Sequence, residues 1–400
     1  MHRGAWVCAA ALAIAAQNAR AADDAEMAGA LAGALPADGS ADLFLIQRPP
    51  PPGPPRVLGA TRSSAAPAAI RAVLLDPAHY RALIPALLGA SLVNPGAAAP
   101  LVDWELEIPL FNLSGRLALR DRPDGITFEL VDGDLAPGRI VFSIRPNPLG
   151  GSTLIVDAQL NVKRSSWLLR RIMSRSPVGE AAVLAAAAYV ALRATALRAE
   201  HPNDASAWRP TAPPGTSRLP DPGALAAEAL APLRARGTLA LVTRERTERL
   251  GGVAVGIGLH APAQRIEPML RDPASWRAFP GWRTVRIRPG PNGAGAEVED
   301  NLPLVDLDAT WIADPGPAPR WTVAAGATRG ARLGWDIYPL PGVAPTLAAL
   351  TLYPRLEATG TVARRFIQAE PLLEEGLALA LAFTDATGIE ATLDPPRRSP

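Results

Sequence analysis

Apolar and polar positions alternate through much of the middle of this chain. Trp104, Leu106 and Ile108 are separated by Glu105 and Glu107, and Ile140, Phe142 and Ile144 repeat the pattern. Leu154, Val156, Ala158, Leu160 and Val162 continue it, followed by Leu307, Ala309 and Trp311 and then Trp321, Val323 and Ala325. A period of two puts one face of a strand in a core and leaves the other wet, which predicts antiparallel meanders rather than a doubly wound parallel sheet. Further strands are predicted over residues 43–47, 56–62, 239–243 and 253–260. Ala-rich segments predict short helices over 25–35 and 224–233, and paired short helices over 66–75 and 77–83 are divided by Asp76-Pro77. There the Asp can cap and the Pro can occupy the first helical position. The longest helical stretches are 165–175 followed by 177–200, and 361–369 followed by 371–386. Residues 49–55 are nearly all proline and must run outside a sheet.

These elements come in the same order twice. Asp76-Pro77-Ala78-His79-Tyr80-Arg81-Ala82 recurs as Asp272-Pro273-Ala274-Ser275-Trp276-Arg277-Ala278, an offset of 196 residues. Arg48 and Arg244 keep that offset, while Pro109-Leu110 with Pro303-Leu304, Arg170-Arg171 with Arg364-Arg365, Pro177 with Pro371 and Glu180 with Glu374 keep one of 194. Ordered matches of this kind identify a duplication. It divides the chain into a first unit over 22–200, a linker over 201–223 rich in Pro, Ser, Thr and Gly, and a second unit over 224–395.

Composition narrows the picture. The chain has 400 residues, 48% of them hydrophobic, enough for real cores, and its 43 Pro and 34 Gly imply frequent turns. Residues 1–21 read as a secretory signal peptide: His2 and Arg3, an apolar run over 5–16, then Ala19-Arg20-Ala21 as a cleavage site. That run is too short to span a bilayer. Removing it takes away Cys8, the one cysteine, and leaves 38 basic and 38 acidic groups. No disulfide or thiol nucleophile then remains, and zero net charge argues against nucleic acid as a partner. A periplasmic or secreted protein is expected, with no membrane span after signal removal. The basic residues are almost all Arg, Lys163 being the sole lysine, which with the Ala and Pro excess suggests a GC-rich bacterial genome.

Strands, paired short helices with an aromatic after Asp-Pro, more antiparallel strands and a long final helix follow the order of the helix-grip fold. Over 66–85 and 261–280 the chain resembles the START-like superfamily, including its polyketide cyclase and coenzyme Q binding groups. Glu107-Ile108-Pro109-Leu110 and the segments Arg364-Arg365-Phe366 and Glu374-Glu375-Gly376 are similar as well. The resemblance implies an α+β protein with tandem helix-grip domains, each a curved antiparallel sheet wrapped around a long C-terminal helix with an apolar cavity between them. Members include carriers, cyclases, hydrolases and binding proteins, so the ligand has to be argued from the site.

Few residues offer chemistry. His79, His201 and His260 make no metal-binding spacing, and there is no nucleophile elbow, P-loop or dinucleotide fingerprint. We expect no catalytic residues, no metal and no cofactor. Glu105 and Glu107 read as a wet face, and His79 as a solvated helix residue. The paired Arg170-Arg171 and Arg364-Arg365 are candidates for contact with a polar headgroup, a guanidinium binding carboxylate or phosphate through two bonds, or for intradomain ion pairs. Nine Trp among 20 aromatics, set against final helices rich in Ala and Gly, suggest either dense packing or a void that a guest fills. Candidate cavity residues are Trp104, Leu106, Phe142, Ile144 and Tyr189 in the first unit, with Trp276, Trp311, Trp321, Tyr353 and Phe383 in the second. The expected function is non-catalytic binding or carriage of a hydrophobic, lipid-like molecule, with protein partners left open. The alternatives are an aromatase or cyclase whose cavity holds a Tyr, Arg and Asp cluster, and a structural envelope module with filled cavities.

Overall fold

The structure, a computed structural model, describes residues 22–48, 53–84, 86–108, 111–162, 170, 178–203, 219–244, 250–279, 282–288, 295–301, 306–326, 328–341, 346–353 and 371–394. The expected signal segment, Arg171, Arg364, Arg365 and most of the expected linker lie outside them. Helix α1 (22–33) precedes β1 (Ala41–Gln47) and β2 (Arg56–Ser63). Then come α2 (Pro67–Leu74), a turn at Pro77–His79 and α3 (Tyr80–Leu83). Six strands follow: β3 (Leu87–Leu92), β4 (Leu101–Ile108), β5 (Phe111–Arg122), β6 (Gly125–Gly133), β7 (Gly138–Pro146) and β8 (Ser152–Gln159), before the long α4 (Gly179–Glu200). The second copy starts with α5 (Gly223–Ala226), a turn at Glu228–Leu230 and α6 (Ala231–Arg234), and continues through β9 (Thr238–Arg244) and β10 (Leu250–Leu259). It proceeds with α7 (Ala263–Arg271), a turn at Ser275–Ala278, β11 (Trp282–Arg288), β12 (Gly295–Asn301), β13 (Asp306–Ala313), β14 (Arg320–Gly326), β15 (Arg332–Pro339), β16 (Thr346–Tyr353) and α8 (Pro371–Leu393).

Strand order confirms the duplication. The first copy runs β1-β2-β8-β7-β6-β5-β4-β3 and the second β9-β10-β16-β15-β14-β13-β12-β11, every neighbouring pair antiparallel. In each copy the long helix packs on the first two strands and the last, α4 on β1, β2 and β8, and α8 on β9, β10 and β16. Both copies are helix-grip folds.

The halves are not separate sheets. β1 pairs antiparallel with β9, its own counterpart, and fuses the copies into one sheet of 16 strands. Phe44 pairs with Ala240, the residue 196 positions on, so the pseudo-twofold axis relating the copies passes through that pair. On one side of the junction α4 and α8 pack against each other. On the other, α1 and the turns of α5 and α6 cover the outward residues: Met27, Leu31 and Leu35 meet Leu43, Leu45, Leu239 and Leu241 with Leu225, Leu230 and Leu233. Both faces of β1 and β9 are therefore dry, and their sequences Leu43-Phe44-Leu45-Ile46 and Leu239-Ala240-Leu241-Val242 are continuous apolar runs. Ion pairs hold α1 in place, Arg56 on β2 bonding Asp24 at 2.6 Å and Asp157 on β8 at 2.7 Å, with Asp23 reaching Arg236 of the second copy.

Two boundaries differ from expectation. The segment 224–233 is not one helix but two short turns of α-helix around a 3₁₀ turn, with Pro232 in the first turn of α6 unable to donate into a continuous ladder. The last helix continues past Ala386 to Leu393. Helices α4 and α8 are also long and apolar enough by composition to cross a membrane, but those windows are 78% and 61% buried inside the fold, which accounts for their hydrophobicity.

Candidate functional site

The repeated Asp-Pro-x-x-aromatic element is an anchor. The hydroxyl of Tyr80 donates to the Leu74 carbonyl at the end of α2, and the indole N–H of Trp276 donates to the Leu270 carbonyl in the last turn of α7 at 3.2 Å. Leu74 and Leu270 are themselves 196 residues apart. Each aromatic so satisfies a carbonyl that its helix cannot. Asp272 accepts a bond from the Ala274 N–H at 2.9 Å, whereas Asp76 turns to the ring of exposed His79 at 2.6 Å.

Beyond these anchors, the inward faces of β3 to β8 and of β11 to β16 are filled differently. In the first copy Tyr80, Trp104, Leu106, Leu117, Ile140 and Ile144 pack on the core yet stay only half-buried. Phe142, between the two isoleucines, is buried in an edge-to-face ladder with Phe128 and Tyr80, ring centroids 5.7 and 6.1 Å apart. In the second copy the duplication sets Trp276 at the position of Tyr80 and Trp311 at that of Leu117, and β15 carries Trp335 where β7 carries Phe142. With Trp321 on β14, these four indoles are buried, and Trp276 meets Trp321 edge-to-face at 4.4 Å. Among the described residues, the second interior is filled by tryptophan, with Ile337 half-buried beside it, while the first exposes more apolar surface.

Tyr189 and Phe383 occupy equivalent positions on α4 and α8, 194 residues apart, and both turn toward the junction instead of a chamber. Tyr189 stacks obliquely on Phe44 at 5.8 Å, on the pseudo-twofold axis, and its hydroxyl donates to Glu375 on α8. Arg48 of the first copy lies over the Phe383 ring at 5.9 Å and binds Glu390 at 2.6 Å. Its counterpart Arg244 has Ala196 where Glu390 would be, and pairs with the fully buried Asp42. Arg193 is buried on α4 in the same neighbourhood. Burial pushes the Glu375 carboxyl up to about 7, against the pull of Tyr189, Arg193 and Arg244. Burial, then the charges of Glu375 and Asp42, hold the Tyr189 hydroxyl well above its ordinary value. The Tyr, Arg and Asp cluster that a cyclase reading calls for exists, but between the copies. Sequence reasoning missed it; the available signals were a charge after 12 uncharged residues at Arg193 and a second acid, Glu375, directly after the first-turn Glu374 of α8.

Of the remaining candidates, Tyr353 is buried at the end of β16 and Arg170 is exposed. Glu105 and Glu107 are exposed, as their outward register requires. A concavity of about 570 Å³ opens over β3, β4, β5 and the end of β6. Its lining contains Ser91, Asp103, Arg116 and Asp132 from one outward row of the sheet, Glu105 and Ser114 from the next, and Trp104 with Gly115 from the row between them. It is an open concavity of mixed polarity at the β3 end of the sheet, bordered by both rows and bridged by the Arg116 to Asp103 ion pair at 2.6 Å.

No family model matches the chain, and no curated protein does. Among solved structures the chain is similar to the di-domain ARO/CYC StfQ from the steffimycin biosynthetic pathway, at 11% identity and a TM-score of 0.27, over 82% of this chain and 98% of that one. It is similar to the di-domain ARO/CYC BexL from the BE-7585A biosynthetic pathway at 13% identity and a TM-score of 0.26, over 86% and 99%. A STAR-related lipid transfer protein from Xanthomonas axonopodis is similar at 14% identity and a TM-score of 0.28, over 41% of this chain and 95% of that one. On the strand order and helix placement described above, the chain is an α+β protein made of two tandem helix-grip folds.

Proposed function

We propose that this protein is an exported, non-catalytic carrier or binding protein for a hydrophobic, lipid-like molecule, and that the first copy holds it. The observation that carries this reading is the contrast between the interiors. Trp104, Leu106, Leu117, Ile140 and Ile144 leave apolar surface half-exposed inside the grip of the first copy, where the second is closed by Trp276, Trp311, Trp321 and Trp335. Apolar surface of this kind is stabilised by a guest that covers it. Covering about ten methylenes at roughly 0.8 kcal/mol each supplies about 8 kcal/mol before ordering costs, enough for micromolar affinity with no charged contact. Export rests on the signal-like segment 1–21, and Arg170 and Arg171 are the proposed headgroup contacts of the first copy, their counterparts Arg364 and Arg365 serving that role only if the second copy also takes a guest.

The cyclase alternative stands second because Tyr189 and Glu375 are sealed between α4 and α8 and satisfy one another. Native mass spectrometry and solvent extraction of protein purified from its own host test the proposal. We expect one hydrophobic molecule per chain. Recovery of empty protein that also fails to bind fatty acids, sterols and quinones overturns it.

A further inference from the structure

We infer that the guest carries a hydrogen-bond acceptor, a carbonyl or carboxyl oxygen, which the indole N–H of Trp104 receives; this rests on the reading of the first copy as the binding half. Trp104 points inward from β4, between Val102 and Leu106, and packs on the core. Its ring is seated by a glycine. Gly115 faces it on β5, and a Cβ there would lie 2.9 Å from Trp104 Cζ2 and 2.6 Å from the Asp132 carbonyl oxygen, so no larger residue leaves room. The seat fixes the ring and, with it, the direction of the N–H.

That N–H is buried and has no hydrogen-bond partner in the protein. Leaving such a donor unmade costs about 1–3 kcal/mol, and buried indole N–H groups ordinarily find an acceptor. The anchors Tyr80 and Trp276 illustrate the rule, each reaching a helix-end carbonyl. Trp321 in the second copy also has an unpartnered N–H, but its ring is packed edge-to-face on Trp276 in the filled interior. Among the described residues, Trp104 is the indole whose unmade donor lies beside half-exposed large apolar neighbours, Leu106 and Leu117. A purely hydrocarbon guest would leave the donor unsatisfied. A ketone, quinone, ester or fatty acid would satisfy it.

The test compares 2-acetylnaphthalene with its hydrocarbon isostere 2-isopropenylnaphthalene by equilibrium dialysis against the full chain, its Trp104→Phe variant and a chain carrying benzothienylalanine at position 104. The last keeps the ring shape and removes only the N–H. We expect the wild type to bind the ketone more tightly; the benzothienylalanine chain should weaken the ketone about fivefold and leave the hydrocarbon unchanged, while Trp104→Phe, which also removes apolar contact, should weaken both probes and the ketone more. Binding of both probes with no selective loss of the ketone in the benzothienylalanine chain overturns the Trp104 contact and leaves the carrier reading standing. Failure of the wild type to bind either probe overturns both.

Discussion

The hydroxyl of Tyr189 on one long helix donates a hydrogen bond to the carboxyl of Glu375 on the other, across the axis that relates the two copies. The duplication places Ala181 and Phe383 at the equivalent positions, so the same contact in the symmetry-related arm is apolar. The polar pair is thus an addition to one arm and not a requirement of the fold. Tyr189 and Arg193 of α4, Asp42 of β1 and Arg244 of β9 are the charged and titratable groups around Glu375.

This pair makes stability fall with rising pH. Glu375 titrates near 7 in the folded protein against an ordinary value of 4.5, so the folded state holds a proton that the unfolded chain has released. The stabilisation is complete below pH 4.5, is lost as pH rises toward 7, and stays lost above that. A displacement of this size corresponds to about 3 kcal/mol. Urea denaturation at pH 5 and pH 8 checks it: Glu375→Gln should remove most of the difference seen in the wild type. Identical pH dependence in both proteins would contradict the assignment.

Asp42 and Arg244 form a buried ion pair, with side chains 0% and 5% exposed, while the related Arg48 and Glu390 are 36% and 29% exposed. Removing one member of the buried pair leaves a charge without compensation, so Asp42→Ala should cost about 3–5 kcal/mol. Glu390→Ala, in contact with solvent, should cost about 1 kcal/mol or less. Chemical denaturation of both variants compares the two, and Asp42→Ala with Arg244→Leu should recover much of the single-variant loss.

Where α4 crosses α8, a Cβ at Gly376 would stand 3.0 Å from the Ala186 carbonyl oxygen and 3.3 Å from Val190 Cγ2. Gly376→Ala sets a helix-propensity gain of about 1 kcal/mol against a small displacement and should be close to neutral. Gly376→Val adds two methyl groups that the crossing cannot admit and should destabilise by about 2 kcal/mol. Equal urea midpoints for the two variants would show that the crossing is not tightly packed.

How much of this was legible in the sequence depends on range. The anchors were visible because Asp76 and Tyr80 lie within one turn of each other and recur 196 residues on. The outward register of Glu105 and Glu107 followed from period two alone. The joined sheet was readable in principle, since the apolar runs at 43–46 and 239–242 do not alternate and so announce strands covered on both faces. Which partner covers a face is not a local property, and the tandem pattern by itself places those runs in separate sheets. The pair of Tyr189 and Glu375 is 186 residues apart, and although Glu375 lies in the Glu374-Glu375-Gly376 segment, nothing local to either residue names the other as its partner. It exists only because β1 meets β9. Tyr189 and Phe383 could not be told from chamber residues for the same reason.

The contrast between the two interiors predicts opposite responses to opposite substitutions. Trp321 in the second copy is 2% exposed, and Trp321→Ala should leave a cavity costing about 3–5 kcal/mol. Because that residue lies in the filled half, affinity for 2-acetylnaphthalene should not change at temperatures where the variant is folded. Leu117 in the first copy holds the position that Trp311 holds in the second, and it is half-buried with apolar surface to spare. Leu117→Trp should therefore be accommodated, holding or raising the melting temperature, while it occupies the guest's space and abolishes binding. Calorimetric melting and equilibrium dialysis on each variant separate these outcomes. Loss of binding in Trp321→Ala together with retained binding in Leu117→Trp would move the site to the second copy, because only a chamber there could respond in that way.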